Sequence, residues 1–163
     1  MERTKQLLNN TPKDNLDPQD VFKAICLDAS ENLDANLTSV WTFDKARTQI
    51  ECQASFDKSS NTFSQGQILK RDDFPSYFSY ITEDNIINAT DVRTHYATKE
   101  LVECYFDPMQ VVSLLDFILH KNYQPVGVIC CENKHETRKW STQNEDYLRA
   151  LSALTSFNFE FEA

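Results

Sequence analysis

VSLLDFILH (residues 112–120) and VGVICCE (residues 126–132) are the two stretches that decide the fold. Both have the composition of β-strands, and the four residues KNYQ that follow the first one make a connection of hairpin length. Apolar residues stand at both odd and even positions of each stretch, whereas a strand with one face in water alternates. We therefore expect an antiparallel pair of strands whose two faces are both covered.

The first long helix is predicted to begin near Asp17. Asp17 can cap a helix and Pro18 suits its first position, because the missing proline N–H has no partner there. The apolar residues that follow recur at helical spacing: Val21, Phe22, Ile25, Cys26, Ala29 and Leu33. Residues 1–16 are polar and lack such a pattern, so we expect a flexible or helical lead-in before a single domain of residues 17–163.

The remaining elements are shorter, apart from a closing helix predicted from about Thr142 to Phe161 with Ser141 or Thr142 as its cap. The pattern predicts a hairpin of two strands over residues 38–43 and 48–56, and a short strand over residues 67–70. It also predicts two short helices, over residues 74–82 and 98–106, and Asp107-Pro108 ends the second one. This order is typical of an α+β fold, an antiparallel sheet with the terminal helices on one face. Residues 57–110 must then cover the other face, where we expect a cavity.

The composition excludes several classes of protein. The chain of 163 residues has a net charge of -9, which argues against nucleic acid and anionic membranes as partners. With Gly66 and Gly127 as its only glycines, it cannot form the glycine-rich phosphate loops of P-loop and dinucleotide-binding proteins. The longest apolar stretch, residues 111–119, is too short to span a bilayer, and no secretion signal opens the chain. We therefore expect a cytoplasmic protein.

Cysteine and histidine spacing indicates no metal site. The five cysteines are odd in number and lack a Cys-x-x-Cys pair, and no two of the three histidines have metal-ligand spacing. Cys130 and Cys131 are neighbours on a predicted strand, so they point to opposite faces of the sheet. We expect thiols that serve as small buried residues.

The order of several short motifs resembles the GAF domain. These are Pro75-x-Tyr77-Phe78, Asp91, Tyr105, Ser113-Leu114-Leu115-Asp116, Gly127-Val128, Glu132 and Trp140. They are most similar to the bacterial GAF modules that precede histidine kinase or diguanylate cyclase (GGDEF) output domains. The resemblance implies about six antiparallel strands, terminal helices that often dimerise on one face, and a small-molecule pocket on the other.

The resemblance also implies a role without catalysis. We expect a sensor that binds a small-molecule effector, forms a homodimer, and acts on an attached or partner output domain. Since the sequence has no room for a kinase or cyclase, we expect a fragment of a longer protein. Tyr147, Leu151, Leu154 and Phe161 have near-heptad spacing and are a candidate dimer seam on the last helix.

The candidate pocket residues combine aromatic rings with polar side chains in the middle of the chain. Asp116 lies within an apolar strand, where a carboxylate needs a hydrogen-bond partner. Aromatic residues with hydroxyl groups provide both stacking area and an orienting hydrogen bond. The predicted pocket residues are Phe43, Tyr77, Phe78, Asp91, Tyr105, Ser113, Asp116 and Cys130. For Asp91 a turn before Arg93 is the structural alternative.

The residues fit the ligands and reactions of other GAF domains less well. Covalent bilin attachment is not expected, because His95 follows Thr94 where such proteins commonly have cysteine. Asn133-Lys134, Trp140 and Asn144-Glu145 are similar to a motif of cyclic-nucleotide-binding members, although these residues also suit a strand end, a buried plug and a helix start. A free methionine sulfoxide reductase would need Cys104 beside a strand cysteine. A dimerisation module with a vestigial pocket remains the main alternative, and the ligand is unknown.

Overall fold

The computed structural model describes residues 1–161, so the last two residues of the predicted domain lie outside the described part. Its centre is an antiparallel sheet in the order β3-β2-β1-β7-β6-β5, with β4 also paired to β2. The strands are β1 Leu37–Phe43, β2 Gln49–Asp57, β3 Thr62–Ser64, β4 Ile68–Lys70, β5 Ile86–Ala89, β6 Val111–Lys121 and β7 Gln124–Lys134. The predicted α+β fold is confirmed.

Strands β6 and β7 form the hairpin that the sequence predicted. Asn122 and Tyr123 at its turn both have positive φ, 50° and 63°, the backbone that two-residue hairpin turns require. The hairpin lies inside the sheet, because β1 pairs with the other edge of β7 and β5 with the other edge of β6. Residues 127–132 are all buried, which confirms that both faces of this strand are covered.

Helices α1 Glu2–Asn10, α2 Pro18–Leu33 and α5 Thr142–Asn158 lie together on one face of the sheet, the helix face. The caps are as expected: Asp17 accepts a hydrogen bond from the Gln19 N–H at 2.9 Å, and Ser141 accepts one from the Asn144 N–H at 3.2 Å. The core below them is a single apolar cluster around Ile25, Ile129 and Leu148.

The lead-in residues are mostly helical. Helix α1 is held to α2 through Asp28, which is 1% exposed and accepts hydrogen bonds from the N–H and the hydroxyl of Thr4 at 2.8 and 2.7 Å. Thr4 is itself fully buried. A carboxylate in the interior therefore docks the first helix onto the second.

The four residues predicted as a dimer seam do not form one stripe on the last helix, although Leu154 is half-buried, and the homodimer itself stays a prediction. Leu151 is completely buried against the sheet inside the chain, and the helix ends at Asn158, before Phe161. Phe161 instead packs on Phe159, with ring centroids 5.0 Å apart. The Tyr147 hydroxyl donates to the Asp28 carbonyl at 3.1 Å, so this side chain is also engaged within the chain.

Two other predictions need correction. The edge strand β3 was not predicted from the sequence. All three of its residues are exposed, so this short segment lacks the buried apolar positions from which a strand is predicted. The predicted helix over residues 98–106 does not stop at Asp107-Pro108. Pro108 lies at the start of the next short helix, α4 Asp107–Met109, where its missing N–H costs little, and Gln110 with φ of 59° ends the segment.

The second face of the sheet, the cavity face, is covered by residues 74–110, which we call the roof. The roof contains α3 Pro75–Asp84, a 3₁₀ turn Lys99–Leu101, a π-helical turn Val102–Phe106 and α4. A second apolar cluster lies between the roof and the sheet, with Phe78, Ile81, Leu101 and Phe106 as its largest fully buried roof residues. Among residues 1–161, no helix combines the length and the apolar character that crossing a bilayer requires.

Candidate functional site

Two carboxylates lie in the interior between the sheet and the roof. Asp116 on β6 and Glu132 on β7 are each 1% exposed, and we refer to them as the carboxylate pair. Asp116 stands opposite Cys130 in the register, and Glu132 is two residues further along the same strand as Cys130. Residues two apart on a strand share a face, so both carboxylates point to the cavity face. They are diagonal neighbours across the two central strands.

The roof supplies one tyrosine hydroxyl to each member of the pair. Tyr77 on α3 donates to Asp116 Oδ2 at 2.7 Å, and Tyr105 in the π-helical turn donates to Glu132 Oε1 at 3.0 Å. The Cys130 thiol lies 3.4 Å from the same Glu132 oxygen. The second oxygen of each carboxylate, Asp116 Oδ1 and Glu132 Oε2, is buried and has no hydrogen-bond partner among residues 1–161. An unpaired buried acceptor destabilises a fold, so this arrangement needs an explanation beyond stability.

Burial changes the acidity of every group in this site. Removal from water raises the pKa of Asp116 to about 7, although the hydrogen bonds from Cys130 and Tyr77 act in the opposite direction. Burial and the neighbouring Asp116 charge raise the pKa of Glu132 to about 7 as well. Burial also raises the pKa of Tyr77 and Tyr105, so their hydroxyls stay protonated donors. The pair therefore titrates near neutral pH, which is typical of functional carboxylates.

The roof is irregular where it meets the carboxylate pair. The 3₁₀ turn, the π-helical turn and α4 follow one another between Lys99 and Met109 with three different hydrogen-bond patterns. Glu100 in this segment accepts hydrogen bonds from the Ser76 N–H at 3.0 Å and the Tyr77 N–H at 3.4 Å, and so caps α3. Short π-helical turns are frequent at functional sites. The half-buried Glu100 thus joins the later part of the roof to the start of α3.

The space enclosed between the sheet and the roof is small. It measures about 10 Å³, roughly the volume that one water-sized sphere needs. It is lined by Trp41, Ile50, Leu69, Tyr77, Leu101, Tyr105, Phe106, Leu114, Asp116 and Cys130. We call this arrangement the closed form, since a ligand larger than a water does not fit into this space.

Four of the predicted pocket residues meet at this cavity: Tyr77, Tyr105, Asp116 and Cys130. Phe78 is fully buried in the same apolar cluster but does not line the space. Phe43 packs on Phe78 with ring centroids 6.1 Å apart and lies further along the cavity face. Half of the eight predicted pocket residues therefore line this cavity, and their role in ligand binding stays a prediction.

Asp91 and Ser113 are not brought to the cavity. Asp91 Oδ1 accepts from the Arg93 N–H at 2.9 Å, the turn that was the structural alternative. Ser113 has the opposite parity to Asp116 on β6, so its side chain leaves the cavity face. Its hydroxyl donates to the Thr90 carbonyl at 2.5 Å and accepts from the Arg138 N–H at 2.6 Å. Both residues hold loops in place.

Sequence reasoning missed the second carboxylate. Glu132 stood in the motif order, yet it was not placed in the site, because the predicted strand ends at this residue and the polar residues Asn133 and Lys134 follow it. The available signal was its parity with Cys130, since residues 126–131 are apolar at every position. Trp41 and Phe106 were also missed, since apolar periodicity does not distinguish cavity walls from core.

The residues that resemble a cyclic-nucleotide motif lie outside this site and have structural roles. Trp140 is buried among the helix-face cluster, with the Arg138 guanidinium 4.1 Å from its ring centre. Asn144 completes the capping box of α5, and Glu145 accepts a hydrogen bond from Asn88 at 2.5 Å. Lys134 pairs with Asp57 at 3.3 Å.

The cysteines are separated by the sheet and the roof. Cys130 faces the cavity and Cys131 the helix face, as predicted from the strand alternation. Cys104 is exposed whereas Cys130 is 5% exposed, so the redox pair that a reductase would need is not assembled in this structure. Burial raises the pKa of the Cys130 thiol, which opposes its use as a nucleophile. Within residues 1–161, no group of three or more His, Cys, Asp or Glu is placed to hold a metal ion.

Comparisons with known proteins give one family. The family model described as GAF domain matches residues 17–158, while no curated protein matches the chain. Solved structures with the same fold include the blue-light absorbing form of the PixJ GAF domain from Thermosynechococcus elongatus. It has a TM-score of 0.74 at 17% identity, covering 93% of this chain and 86% of that one.

Two further structures extend the comparison. The GAF domain from Acinetobacter phosphoenolpyruvate-protein phosphotransferase has a TM-score of 0.67 at 17% identity, covering 96% of this chain and 87% of its own. The chromophore binding domain of Stigmatella aurantiaca phytochrome P1 has a TM-score of 0.73 at 13% identity, covering 98% of this chain and 58% of its own. At these identities the likeness concerns the fold.

Proposed function

The chain belongs to the GAF domain family, and from that premise we propose that it is a non-catalytic sensory domain of a cytoplasmic bacterial signalling protein. A small molecule binds between the sheet and the roof, at the carboxylate pair. The observation that carries this proposal is the pair itself, two buried carboxylates whose second oxygens have no partner in the closed form. Such groups reduce stability, and proteins retain them at sites of function.

The similar structures support a sensory role. Their names describe a receptor, PixJ, and the chromophore binding domain of a phytochrome. This chain differs in its residues, since Thr94 precedes His95, and its cavity face has a polar pair at the centre. We therefore propose a diffusible ligand and not a covalent bilin.

The route of the signal follows from the sheet. Along β7, Cys130 and Glu132 point to the ligand site, while Ile129 and Cys131 belong to the helix-face cluster, which also includes Leu148 and Leu151 of α5. Roof movement on binding would shift these strands against the terminal helices. The helices then act on an attached or partner output domain, in a homodimer.

A thermal-shift screen of a broad metabolite library tests the ligand site. A compound present at about 100 times its Kd adds roughly 2.7 kcal/mol, which for a chain of this size raises the Tm by roughly 5–11 °C. Tyr105→Phe removes a hydroxyl from the cavity wall and is expected to change the shift. Tyr123→Phe, at a tyrosine that is 98% exposed, is the matched control and should leave it unchanged.

Two results of this screen would contradict the proposal. One is the absence of any shift across the library. The other is a set of hits that respond equally to Tyr105→Phe and Tyr123→Phe, because such compounds bind elsewhere on the protein.

A dimerisation module with a filled pocket is the second candidate function. The observation in its favour is the cavity of about 10 Å³, which Tyr77, Tyr105 and Phe106 nearly fill. Phe157 on α5 is 83% exposed and gives this candidate an apolar contact site. It predicts a dimer by light scattering, a monomer after Phe157→Glu, and no hit in the library screen.

A further inference from the structure

The chemistry of the carboxylate pair specifies the kind of ligand that would complete it. Asp116 Oδ1 and Glu132 Oε2 are acceptors without donors, while the other two oxygens already accept from Tyr77 and Tyr105. Asp116 lines the cavity directly. A ligand that satisfies the pair must therefore present at least two hydrogen-bond donors on one side.

The charge around the pair argues against an anion. The cavity lining contains no lysine, arginine or histidine. The positive group whose charge reaches Glu132 is Lys134, and its ammonium is already 3.3 Å from Asp57. Tyr77, Tyr105, Cys52 and Cys130 are the other titratable groups that face the pair, and burial raises the pKa of each, so they stay neutral from pH 5 to 8. A phosphate or carboxylate would meet like charge without compensation.

The walls of the cavity favour a positive planar group. Trp41 and Tyr105 meet edge to face with ring centroids 6.2 Å apart, and Tyr105 meets Phe106 in the same way at 5.2 Å. Trp41, Tyr105 and Phe106 all line the space, and a cation over the face of an aromatic ring is attracted by the ring quadrupole. The donors and the walls thus favour the same class of ligand.

We propose that the site between the sheet and the roof binds a small organic cation, of the amidinium or alkylammonium class, whose N–H groups donate to the free oxygens of Asp116 and Glu132. This inference rests on the proposed function and specifies its ligand. The cation replaces the proton that the pair holds in the closed form, and the roof opens to admit it. Binding is therefore accompanied by proton release and strengthens from pH 6 to pH 8.

Two sets of probes with one shape and three charges test this proposal: acetamidinium, acetamide and acetate, and benzamidinium, benzamide and benzoate. Calorimetric titration at pH 8 is expected to give at least a tenfold lower Kd for one of the amidinium ions than for its neutral amide, with the carboxylate weaker still. Titration of that ion in two buffers of different ionisation enthalpy at pH 6.5 should report proton release.

Matched variants separate the site from the general negative charge of the protein. Asp116→Asn and Glu132→Gln are each expected to remove the tenfold preference for the amidinium ion. Asp73→Asn and Glu136→Gln, at exposed carboxylates, remove the same charge and should keep it. A preference that survives in both site variants would overturn the proposal.

The outcomes distinguish this inference from the function on which it rests. If an amide or a carboxylate binds as tightly as its amidinium ion, or if none of the six probes binds while the library screen yields Tyr105-sensitive hits, the cation assignment is wrong and the sensor role stands. If neither the probes nor the library binds, both fail.

Discussion

Replacing Asp116 by asparagine isolates the energetic effect of the carboxylate pair. Asparagine keeps the shape and an oxygen to accept from Tyr77, but it cannot ionise. Because burial raises the pKa of Asp116 from 3.8 to about 7, the folded state retains a proton that the unfolded chain releases. The stability due to protonated Asp116 is complete below the unfolded pKa and is lost as the pH rises through about 7.

The size of the effect follows from this pKa. Between pH 5 and pH 7 the unfolded chain has the ionised aspartate while the folded chain keeps it protonated, and each pH unit costs about 1.4 kcal/mol. Wild-type protein should therefore lose about 3 kcal/mol relative to Asp116→Asn between pH 5 and pH 8. For a chain of this length that corresponds to roughly 6–12 °C in Tm. The variant is expected to be the less stable protein at pH 5, where its amide lacks an acceptor, and the more stable one at pH 8.

Urea unfolding at pH 5, 6, 7 and 8 measures this difference. Burial lowers the pKa of His95 and His120, which makes stability rise with pH, but both proteins share these histidines and the effect cancels. Asp73→Asn is the control for the loss of one negative charge. A difference between wild type and Asp116→Asn that stays constant across this range would refute the buried proton on Asp116, as would an equal slope in the control.

Three further changes test contacts within the sheet and on the helix face. Gly127→Ala places a methyl group 2.5 Å from the Trp41 carbonyl oxygen, so thermal unfolding should show a loss of about 1–3 kcal/mol where β1 and β7 pair, and an unchanged Tm would contradict the close approach. Asp28→Ala leaves the buried Thr4 N–H without a partner, so urea unfolding should show a free energy of unfolding about 2–3 kcal/mol lower. Glu31→Ala, at an exposed carboxylate, is the control and should lower it by under about 0.5 kcal/mol. Ser141→Ala removes the cap of α5 and should cost about 1 kcal/mol by the same measurement, with no change arguing against the cap.

Local signals predicted most of the fold. The continuous apolar character of residues 112–132, the Asp17-Pro18 start of α2 and the Ser141 cap each act within a few residues, so the sequence contains them directly. Residues 98–106 were predicted as one helix, because their apolar spacing does not reveal that the hydrogen bonds change from 3₁₀ to π, and then to α at Asp107. That pattern depends on contacts with the sheet, which are distant in sequence.

The candidate site was predicted only in part, because it also depends on contacts between residues that are distant in sequence. Asp116 and Cys130 were found because a polar or thiol side chain in an apolar strand is conspicuous. Their meeting with Tyr77 and Tyr105 depends on how the roof folds over the sheet, which only the resemblance implied. Glu132 was not predicted as a site residue, because it stands at the end of the predicted strand, where a buried side chain is not expected. Ser113 was included although its parity alone would have excluded it.

Native-state hydrogen exchange tests the central claim, that the closed roof opens over the carboxylate pair without unfolding of the sheet. We predict that amides of residues 99–109 exchange through a local opening with a free energy several kcal/mol below that of global unfolding, while amides of β6 and β7 exchange only on global unfolding. Equal protection of the two regions, with the same denaturant dependence, would contradict the claim. It would mean that the roof opens only when the whole domain unfolds.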